Sequence, residues 1–295
     1  TCALPICPQI ANADNKALVV WQSNDNGSDF DIRGRFVDIS SGVTTNSDFL
    51  VSNTIAYNQS NARISVSENR ALVVWESFEG TIRQARGKVF DLAMGTALNN
   101  DFNLSTDIAS TGAFLLNVST AGNIGMVVWV GNSDMNIYGR VVDLKAGEPV
   151  GYNVLTISTN NTNTQLSPDV KLSGNRALIA WTSNHLSGSD FDVRGRVFDA
   201  YAMKFADDSD FLVSKTNQAN QTDIQIDLAG NRPLIRWLSA DIAPITFRSR
   251  VLYFDLSTVD RPGFSITQNA PYNLNNFFTA PLIERNFTAT TKIVK

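Results

Sequence analysis

Three aspartates, Asp25, Asp29 and Asp31, lie close together in the segment SNDNGSDFD and are the first residues whose types could do chemistry. Calcium takes six to eight oxygen ligands, chiefly from carboxylate and carbonyl groups. The similar segment NHLSGSDFD contributes Asp190 and Asp192. Calcium is therefore the one cofactor that we consider, with Asp25, Asp29 and Asp31 as its ligands. The simpler alternative is that these acids only form polar turns.

Four more polar residues occupy comparable segments and could bind a ligand: Asn132, Asp134, Asn184 and His185. Amides, carboxylates and imidazoles offer the donors and acceptors that suit a hydroxyl-rich ligand such as a glycan. His185 is the only histidine of the chain. The common zinc sites and Ser-His-Asp triads are therefore excluded, and a solvated loop position is the preferred explanation of His185.

Carboxylate chemistry leaves one catalytic alternative open. A glycosidase needs two carboxyl groups about 5 to 9.5 Å apart, one of them with a raised pKa. The same segments offer Asp25, Glu79, Asp134 and Asp190. None of these acids stands out from its counterparts elsewhere in the chain, so no residue is assigned a catalytic role and the enzyme is the second interpretation.

The residues that would position these side chains belong to an internal repeat. The five tryptophans are separated by 54, 54, 52 and 56 residues, and each ends an apolar run such as ALVVW. Repeats of this length must be recognised first, because they determine the fold. The tryptophans are Trp21, Trp75, Trp129, Trp181 and Trp237.

Two further phrases recur downstream of each tryptophan. SDFDIRGRFVD, residues 28–38, returns as SDFDVRGRVFD, residues 189–199, with weaker copies in the other repeats. A phrase of the type DFLVS follows in turn. The repeated unit therefore has about 53 residues and is used five times, which makes the duplicated phrase a structural segment and not a duplicated active site.

Each unit predicts four short strands. DVKLS alternates in polarity, a Gly174-Asn175 turn follows, and then come ALIAW, DVRGRVF and DFLVS. Gly-Asn between alternating runs indicates a two-residue hairpin, and no segment has helical periodicity. We predict an all-β protein, a β-propeller of four-stranded blades with five blades plus a partial sixth.

The recurring residues have structural explanations. A glycine on the apolar face of the third strand is expected to leave room for the neighbouring tryptophan ring. The basic residue after it should make ladder ion pairs, and the aspartate that ends the strand should form an Asx turn. The glycines are Gly34, Gly87, Gly139 and Gly195.

Composition excludes two classes of function. The net charge is −4, the isoelectric point is near 5.1, and no basic run is present. A nucleic-acid partner is not expected from such a chain. No apolar stretch approaches the roughly 18 to 20 residues that cross a bilayer, so membrane insertion of this segment is not expected.

The first residues, TCALPI, resemble a translated sequencing adapter, which predicts that residues 1–7 are a scar and that the chain is a metagenomic fragment. Residues 8–295 are then one propeller domain. Its blades are expected at about 8–53, 62–106, 113–159, 167–215 and 222–268, with 269–295 as a partial or closing blade. A missing natural start makes the absence of a signal peptide uninformative.

The order ALVVW, polar loop, D[FI]xxRGRxFD and DFxVS resembles the tryptophan-bearing β-propeller repeats of large bacterial extracellular and surface proteins. The resemblance implies an extracellular or cell-surface location, a longer multidomain chain, and adhesion or ligand binding.

SNDNGSDF also resembles the Asp box of sialidase-type propellers, although Asp29 and Phe30 stand where Thr and Trp are usual.

We therefore expect a non-catalytic domain that binds glycan or protein through the loops after the second and fourth strands. The alternative is a carboxylate-based, glycan-active enzyme.

Overall fold

The fold is described from a computed structural model. It covers residues 6–24, 29–44, 47–53, 57–106, 112–151, 153–160, 163–184, 188–214, 219–229, 232–240 and 245–252. All of these residues belong to one compact unit, Thr1–Ser265. The described part contains no α-helix, and its strands form five antiparallel sheets.

The strands follow one another in chain order within each sheet. Blade 1 contains β1 (Ile6–Ala13), β2 (Lys16–Ser23), β3 (Asp31–Asp38) and β4 (Phe49–Leu50). Blade 2 contains β5 (Gln59–Ser67), β6 (Arg70–Glu79), β7 (Ile82–Asp91), β8 (Thr96–Ala97) and β9 (Phe102–Asn103). Blade 3 contains β10 (Phe114–Ala121), β11 (Ile124–Val130), β12 (Ile137–Asp143), β13 (Glu148–Pro149) and β14 (Leu155–Thr156). Blade 4 contains β15 (Gln165–Ser173), β16 (Arg176–Ser183), β17 (Asp192–Asp199), β18 (Lys204–Phe205) and β19 (Phe211–Leu212), and blade 5 contains β20 (Gln221–Ala229), β21 (Arg232–Ser239) and β22 (Thr246–Val251).

The sheets are arranged as propeller blades. The first strands of successive blades, β1, β5, β10, β15 and β20, lie next to one another, which places them innermost, around the axis. Four apolar cores lie between successive blades. The predicted β-propeller of four-stranded blades is confirmed. The proposed sixth blade, residues 269–295, lies outside the described residues.

The tryptophans occupy equivalent places, as predicted. Each pairs with the residue before the third-strand glycine or its equivalent, for example Trp21 with Arg33 and Trp181 with Arg194. Each tryptophan from blade 2 onward packs into the core shared with the preceding blade. Trp21 is half-buried, because no preceding blade covers it within the described part of the chain.

Three of the buried tryptophans also hydrogen-bond to a glutamine at the start of the first strand. Trp181 Nε1 donates to Gln165 Oε1 at 2.8 Å, and blades 2 and 5 repeat the contact at 2.7 Å. In blade 3 the equivalent position is Ala113, and Trp129 Nε1 has no hydrogen-bond partner among the described residues. The sequence reasoning did not identify this contact.

Every first strand contains a β-bulge opposite its tryptophan, with one residue in the left-handed region (φ between 51° and 54°). A bulge inserts one extra residue and bends the strand. The left-handed residues are spaced like the tryptophans and differ in type: Cys7, Asn61, Leu115, Ser167 and Asp223.

The first and second strands meet in two-residue turns. Gly122 and Gly174 have φ of 53° and 58°, and Asp14 and Glu68 take the same left-handed conformation in their turns. A hairpin turn that follows the strand twist requires positive φ. The predicted hairpins of blades 1 to 4 are confirmed, and residues 230–231 of blade 5 lie outside the described set.

The glycine prediction needs a correction. A Cβ on Gly87 would lie 2.6 Å from the Phe102 ring, and a Cβ on Gly195 would lie 3.2 Å from the Phe211 ring. Gly34 faces Phe49 in the same way, whereas Gly139 faces Ile157 and Met126. The glycine therefore leaves room for the apolar residue of the fourth strand. The tryptophan is not the neighbour, because it points to the opposite face of the second strand.

The aspartates that end the third strands form Asx turns, as predicted. Asp199 Oδ1 accepts hydrogen bonds from the backbone N–H groups of Tyr201 (3.0 Å) and Ala202 (2.9 Å). The bond from Ala202 is the main reason that the pKa of Asp199 is lowered. Equivalent turn bonds occur at Asp38, Asp91 and Asp143.

The basic residues of the third strand divide into two groups. Arg86 and Arg194, which precede the glycine, form ion pairs with Asp101 and Asp210 beside the fourth strand at 3.0 and 2.5 Å, although no pair was predicted for this position. Among the basic residues after the glycine, Arg35 of blade 1 makes the predicted pair, with Asp48 at 3.3 Å. In blades 2 to 5 the basic residue makes a contact that was not predicted. It donates to a backbone carbonyl of the preceding blade: Lys88 to Val51, Arg140 to Leu104, Arg196 to Ile157 and Arg250 to Val213. We call these contacts the backward clamps.

The fourth strand is split in blades 2 to 4. In blade 4 two short strands, β18 and β19, both pair with β17. The phrase DFLVS supplies only the second of them, and its serine Ser214 accepts a hydrogen bond from Val193 N–H at 3.2 Å.

No helix in the described ranges is long and apolar enough to cross a membrane.

Candidate functional site

The first strands begin and the second strands end on one side of the propeller, which we call the loop face. The predicted ligand-binding residues that are described lie there, since they flank the ends of β2, β11 and β16 or the starts of β3 and β17. Asp25 and His185 fall outside the described residues. The structure therefore brings the remaining candidates to one face, although they are distributed over three blades.

Asp134 is used to hold its own loop. Its Oδ2 accepts a hydrogen bond from Tyr138 Oη at 2.5 Å, and its Oδ1 accepts one from Asn136 N–H at 3.3 Å. Burial of the phenol, followed by the bond to Asp134, raises the pKa of Tyr138 to about 12. A structural role accounts for this aspartate.

The two asparagines differ in their surroundings. Asn184 Oδ1 accepts a hydrogen bond from Thr164 N–H at 2.9 Å, and Asn184 Nδ2 donates to Gly188 O at 3.2 Å. This side chain therefore ties the second strand of blade 4 to the entry of its first strand. Asn132 is exposed beside Gly112, where it remains available to a ligand.

The paired aspartates of blades 1 and 4 differ from simple turn acids. Asp29 and Asp190 are half-buried, whereas Asp31 and Asp192 are buried at the starts of β3 and β17. Asp192 has no exposed surface, and its burial raises its pKa. Across the described ranges no group of three or more His, Cys, Asp or Glu residues could hold a metal ion. The calcium ligand Asp25 lies outside those ranges, so the calcium site stays a prediction.

Glu79 is the remaining acid that the sequence placed on this face. Its charge is paired with an arginine of the same blade. Its Oε1 lies 3.0 Å from Arg86 Nη1 and 3.2 Å from Ser77 Oγ. Both contacts are within blade 2. We assign Glu79 a structural role.

Glu76 is the acid that the sequence reasoning missed. It follows Trp75 on β6 near the loop face and is 1% exposed. Its Oε1 accepts a hydrogen bond at 2.9 Å from Leu115 N–H, the left-handed bulge residue of blade 3. Glu76 Oε2 lies 3.6 Å from Arg83 Nη1 and accepts no hydrogen bond from a described residue.

Burial is the main cause of the shifted pKa of Glu76. Desolvation raises its pKa above the ordinary value, while hydrogen bonds from Asn61 and Leu115 and the charges of Arg83 and Arg63 act in the opposite direction. A carboxyl group with a raised pKa can carry a proton near neutral pH and deliver it to a substrate. The pKa of Glu76 is therefore shifted in the direction that a general acid requires.

Asp169 is a second buried acid of this kind, on the first strand of blade 4. It is 9% exposed, and burial raises its pKa although its carboxylate is well bonded. Oδ1 accepts from Asn117 Nδ2 and from Val170 N–H, each at 2.8 Å, and Oδ2 accepts from Ile226 N–H at 2.6 Å. Asp169 thus connects the inner strands of blades 3, 4 and 5.

Strand β10 links the two acids. Glu76 binds the N–H of Leu115 and Asp169 binds the side chain of Asn117, two residues further along the same strand. The two acids therefore contact the same inner strand, Glu76 from blade 2 and Asp169 from blade 4.

Comparison of the five repeats could have revealed both acids. The residue after the tryptophan is acidic only in blade 2, and the residue two positions after the bulge is acidic only in blade 4. The counterparts of Glu76 are Gln22, Val130, Thr182 and Leu238, and those of Asp169 are Gln9, Arg63, Asn117 and Gln225.

Comparisons with known proteins find similarity at low sequence identity, among solved structures. No protein-family model matches the chain, and no curated protein matches it. Among solved structures, an endo-arabinase from Bacteroides thetaiotaomicron has 12% identity and a TM-score of 0.47, with 85% of this chain and 95% of that chain covered. An endo-arabinanase from Bacillus licheniformis has 12% identity and a TM-score of 0.42, covering 85% and 94%. An α-L-arabinofuranosidase from Podospora anserina has 9% identity and a TM-score of 0.42, covering 84% and 89%.

These findings correct the main functional prediction. The matched structures carry the names of glycan-cleaving enzymes, whereas a non-catalytic binding or adhesive domain was expected. Glu76 is 1% exposed and its pKa is raised by burial, as the carboxylate-based alternative requires of one of its two acids. The non-catalytic interpretation is wrong, and the carboxylate-based alternative is the better supported one.

Proposed function

We propose that this protein is a glycoside hydrolase in which Glu76 is the general acid and Asp169 is the partner carboxylate. The observation that carries the proposal is the buried Glu76 carboxyl group, with its raised pKa, at a position where no other repeat has an acid. Asp169 supports it, because it is a second single departure from the repeat and lies beside the same inner strand.

The proposed reaction is hydrolysis of a glycosidic bond. Glu76 donates its proton to the glycosidic oxygen as the bond between that oxygen and the anomeric carbon breaks. A water molecule attacks the anomeric carbon and gives its proton to Asp169. Both carboxyl groups then return to their starting states by proton exchange with solvent.

Glu76→Gln tests the acid directly. Glutamine keeps an oxygen that can accept the hydrogen bond of Leu115 N–H, so the border between blades 2 and 3 should persist. Loss of the proton donor should lower kcat by about 10²- to 10⁴-fold. Release of reducing ends from a panel of neutral and acidic polysaccharides is the measurement.

The matched control is Asp143→Asn, an acid of the Asx turns on the opposite side of blade 3, which should leave kcat unchanged. Parental activity in a folded Glu76→Gln protein would remove Glu76 from the mechanism. A parent protein that cleaves none of the polysaccharides would overturn the proposed function.

We also propose that the protein acts outside a bacterial cell as part of a longer chain. The likeness to the tryptophan-bearing repeats of surface proteins supports this, as does a polymeric substrate that a cell meets outside its envelope. Fractionation of the source organism with an antibody to residues 8–295 tests the location. Recovery from the cytosol alone would contradict it.

A further inference from the structure

We propose that Arg63 and Arg83 bind the carboxylate of an acidic sugar beside Glu76, so that the substrate is a uronate-containing glycan. The inference rests on the proposed hydrolase function and adds the substrate class and two substrate-binding residues. It follows from three side chains on one face of blade 2, which we call the Arg-Glu-Arg cluster: Arg63, Glu76 and Arg83.

Strand register places the cluster on one face. Arg63 lies opposite Val74, and Arg83 lies opposite Phe78. Residues directly opposite each other in an antiparallel pair project to the same side, as do alternate residues of one strand. Positions 74, 76 and 78 of β6 therefore share their face with both arginines, and this face is turned toward blade 3.

Arg63 makes no close ion pair with a described residue. It is exposed on β5, two residues after the bulge and next to the axis. It forms no hydrogen bond with the residues that the structure describes, and its charge acts on Glu76 by Coulomb attraction. An arginine held at the axis without a partner is suited to an anionic ligand, since its guanidinium binds carboxylates with paired N–H donors.

Arg83 lies between blades at the loop face. Its guanidinium stands over the Phe78 ring at 4.5 Å and over the Phe114 ring at 5.7 Å. Its Nη1 is 3.6 Å from Glu76 Oε2, and its side chain is 31% exposed while that of Glu76 is 2% exposed. Arg83 therefore lies against Glu76 at a weak ion-pair distance and retains donors for a ligand.

The cluster is confined to blade 2. The positions that correspond to Arg63 hold neutral or acidic residues in the other repeats, and extending the strand register by one residue shows that those corresponding to Arg83 hold apolar residues. Three neighbouring departures from the repeat within one blade point to one local function. The counterparts of Arg83 are Phe30, Met135, Phe191 and Ile245.

Carboxylate binding would also act on the general acid. Glu76 is faced by Arg63 and Asn61 from β5, by Arg83 from β7 and by Leu115 N–H from β10, and the two arginine charges favour its ionised form. A substrate carboxylate that engages both arginines offsets their charge. The pKa of Glu76 then rises in the complex, and the movement of Arg83 toward the substrate uncovers the proton donor.

Binding is measured first, in the full chain with Glu76→Gln, so that hydrolysis does not interfere. The probes are a uronate tetrasaccharide and the matching neutral tetrasaccharide, compared by titration calorimetry. We expect the uronate to bind at least tenfold more tightly, and Arg63→Gln to abolish most of that difference. Lys204→Gln, an exposed cation on the outer edge of blade 4, is the matched control and should change nothing.

Kinetics of the parent protein supply a readout that a structural role would not change. Arg63→Gln removes a charge that lowers the pKa of Glu76, so the alkaline limb of kcat/KM should move to higher pH. With the uronate substrate the alkaline limb of kcat should lie above that of kcat/KM, whereas the neutral substrate should show no such separation.

The outcomes separate the two proposals. Equal affinity for the two probes, or an Arg63→Gln protein that keeps the uronate preference, overturns the inference while leaving hydrolysis of neutral glycans intact. Tight uronate binding without any bond cleavage overturns the proposed function and keeps the arginine site.

Discussion

At the scale of single residues, the acids of this protein separate by their surroundings. The turn acids, such as Asp199, accept several N–H donors and have lowered pKa values. Glu76, Asp169 and Asp192 are buried, and their pKa values are raised because desolvation disfavours the carboxylate. The pKa values of carboxyl groups are therefore shifted in opposite directions, downward in the turns and upward where burial dominates.

Asp192→Asn should stabilise the protein at neutral pH. The folded-state pKa of Asp192 is raised above the unfolded value of 3.8, so the stability that it contributes is present below that value and is lost as pH rises through the folded pKa. Its Oδ2 accepts no hydrogen bond from a described residue, and such a buried group costs about 1 to 3 kcal/mol. Urea denaturation from pH 4 to 8 should show a gain of about 1 kcal/mol at the upper end.

Asp199→Asn is the control with the opposite sign. The pKa of Asp199 is lowered, so its contribution is present above 3.8 and is lost as pH falls through the folded pKa. The variant should therefore be less stable than the parent at neutral pH. A parallel pH dependence of the two variants would contradict the assignment of their pKa directions.

At the scale of elements, a glycine in the third strand sets the fit between the third and fourth strands. A Cβ at Gly87 would lie 2.6 Å from the Phe102 ring and 3.4 Å from Leu104, whereas at Gly195 the closest atoms are 3.2 Å away. Neither glycine has a positive φ. The two positions therefore differ in space and not in backbone conformation.

Gly87→Ala should destabilise the protein by about 1 to 3 kcal/mol, because the added methyl group overpacks the contact with Phe102. Gly195→Ala should cost less, since its neighbours need to move by only a few tenths of an ångström. Equilibrium denaturation of the two variants checks the order. A larger loss for Gly195→Ala would contradict it.

The features that could be predicted are those that recur. Trp75 and Asp91 return at fixed spacing, so their strand and turn could be read from the chain alone. Glu76 is part of an ordinary strand in its own blade, and its burial comes from Leu115 of the next blade. No pattern within one repeat reports a contact between repeats, which is why the site was missed while the blade was not.

At the scale of the whole molecule, the backward clamps join each blade to its predecessor. Arg196 is 7% exposed, stands 3.6 Å over the Phe205 ring, and donates to Ile157 O of blade 3 at 2.9 Å. The same arginine also binds the backbone carbonyls of Asp207 and Asp208 in its own blade. Each clamp therefore connects the third strand of one blade with the end of the fourth strand of the preceding blade.

Arg196→Met should weaken the border between blades 3 and 4 by about 1 to 3 kcal/mol, because a buried carbonyl loses a charged donor. Arg35→Met is the matched control. Arg35 is 38% exposed and pairs with Asp48 at 3.3 Å in its own blade, so its replacement should cost well under 1 kcal/mol. Thermal unfolding checks both, and an equal loss would contradict the assignment of Arg196.

The backward clamps all point the same way along the chain, and this common direction determines how the blades associate with one another. Every clamp reaches from a blade to the one before it, so the surfaces that meet are different on the two partners. Contacts of this heterologous kind extend from unit to unit until the accumulated rotation returns to the start. The step angle between neighbouring blades therefore determines whether such contacts close into a ring or continue as a polymer. Substitutions that alter this angle should cause self-association before they cause unfolding.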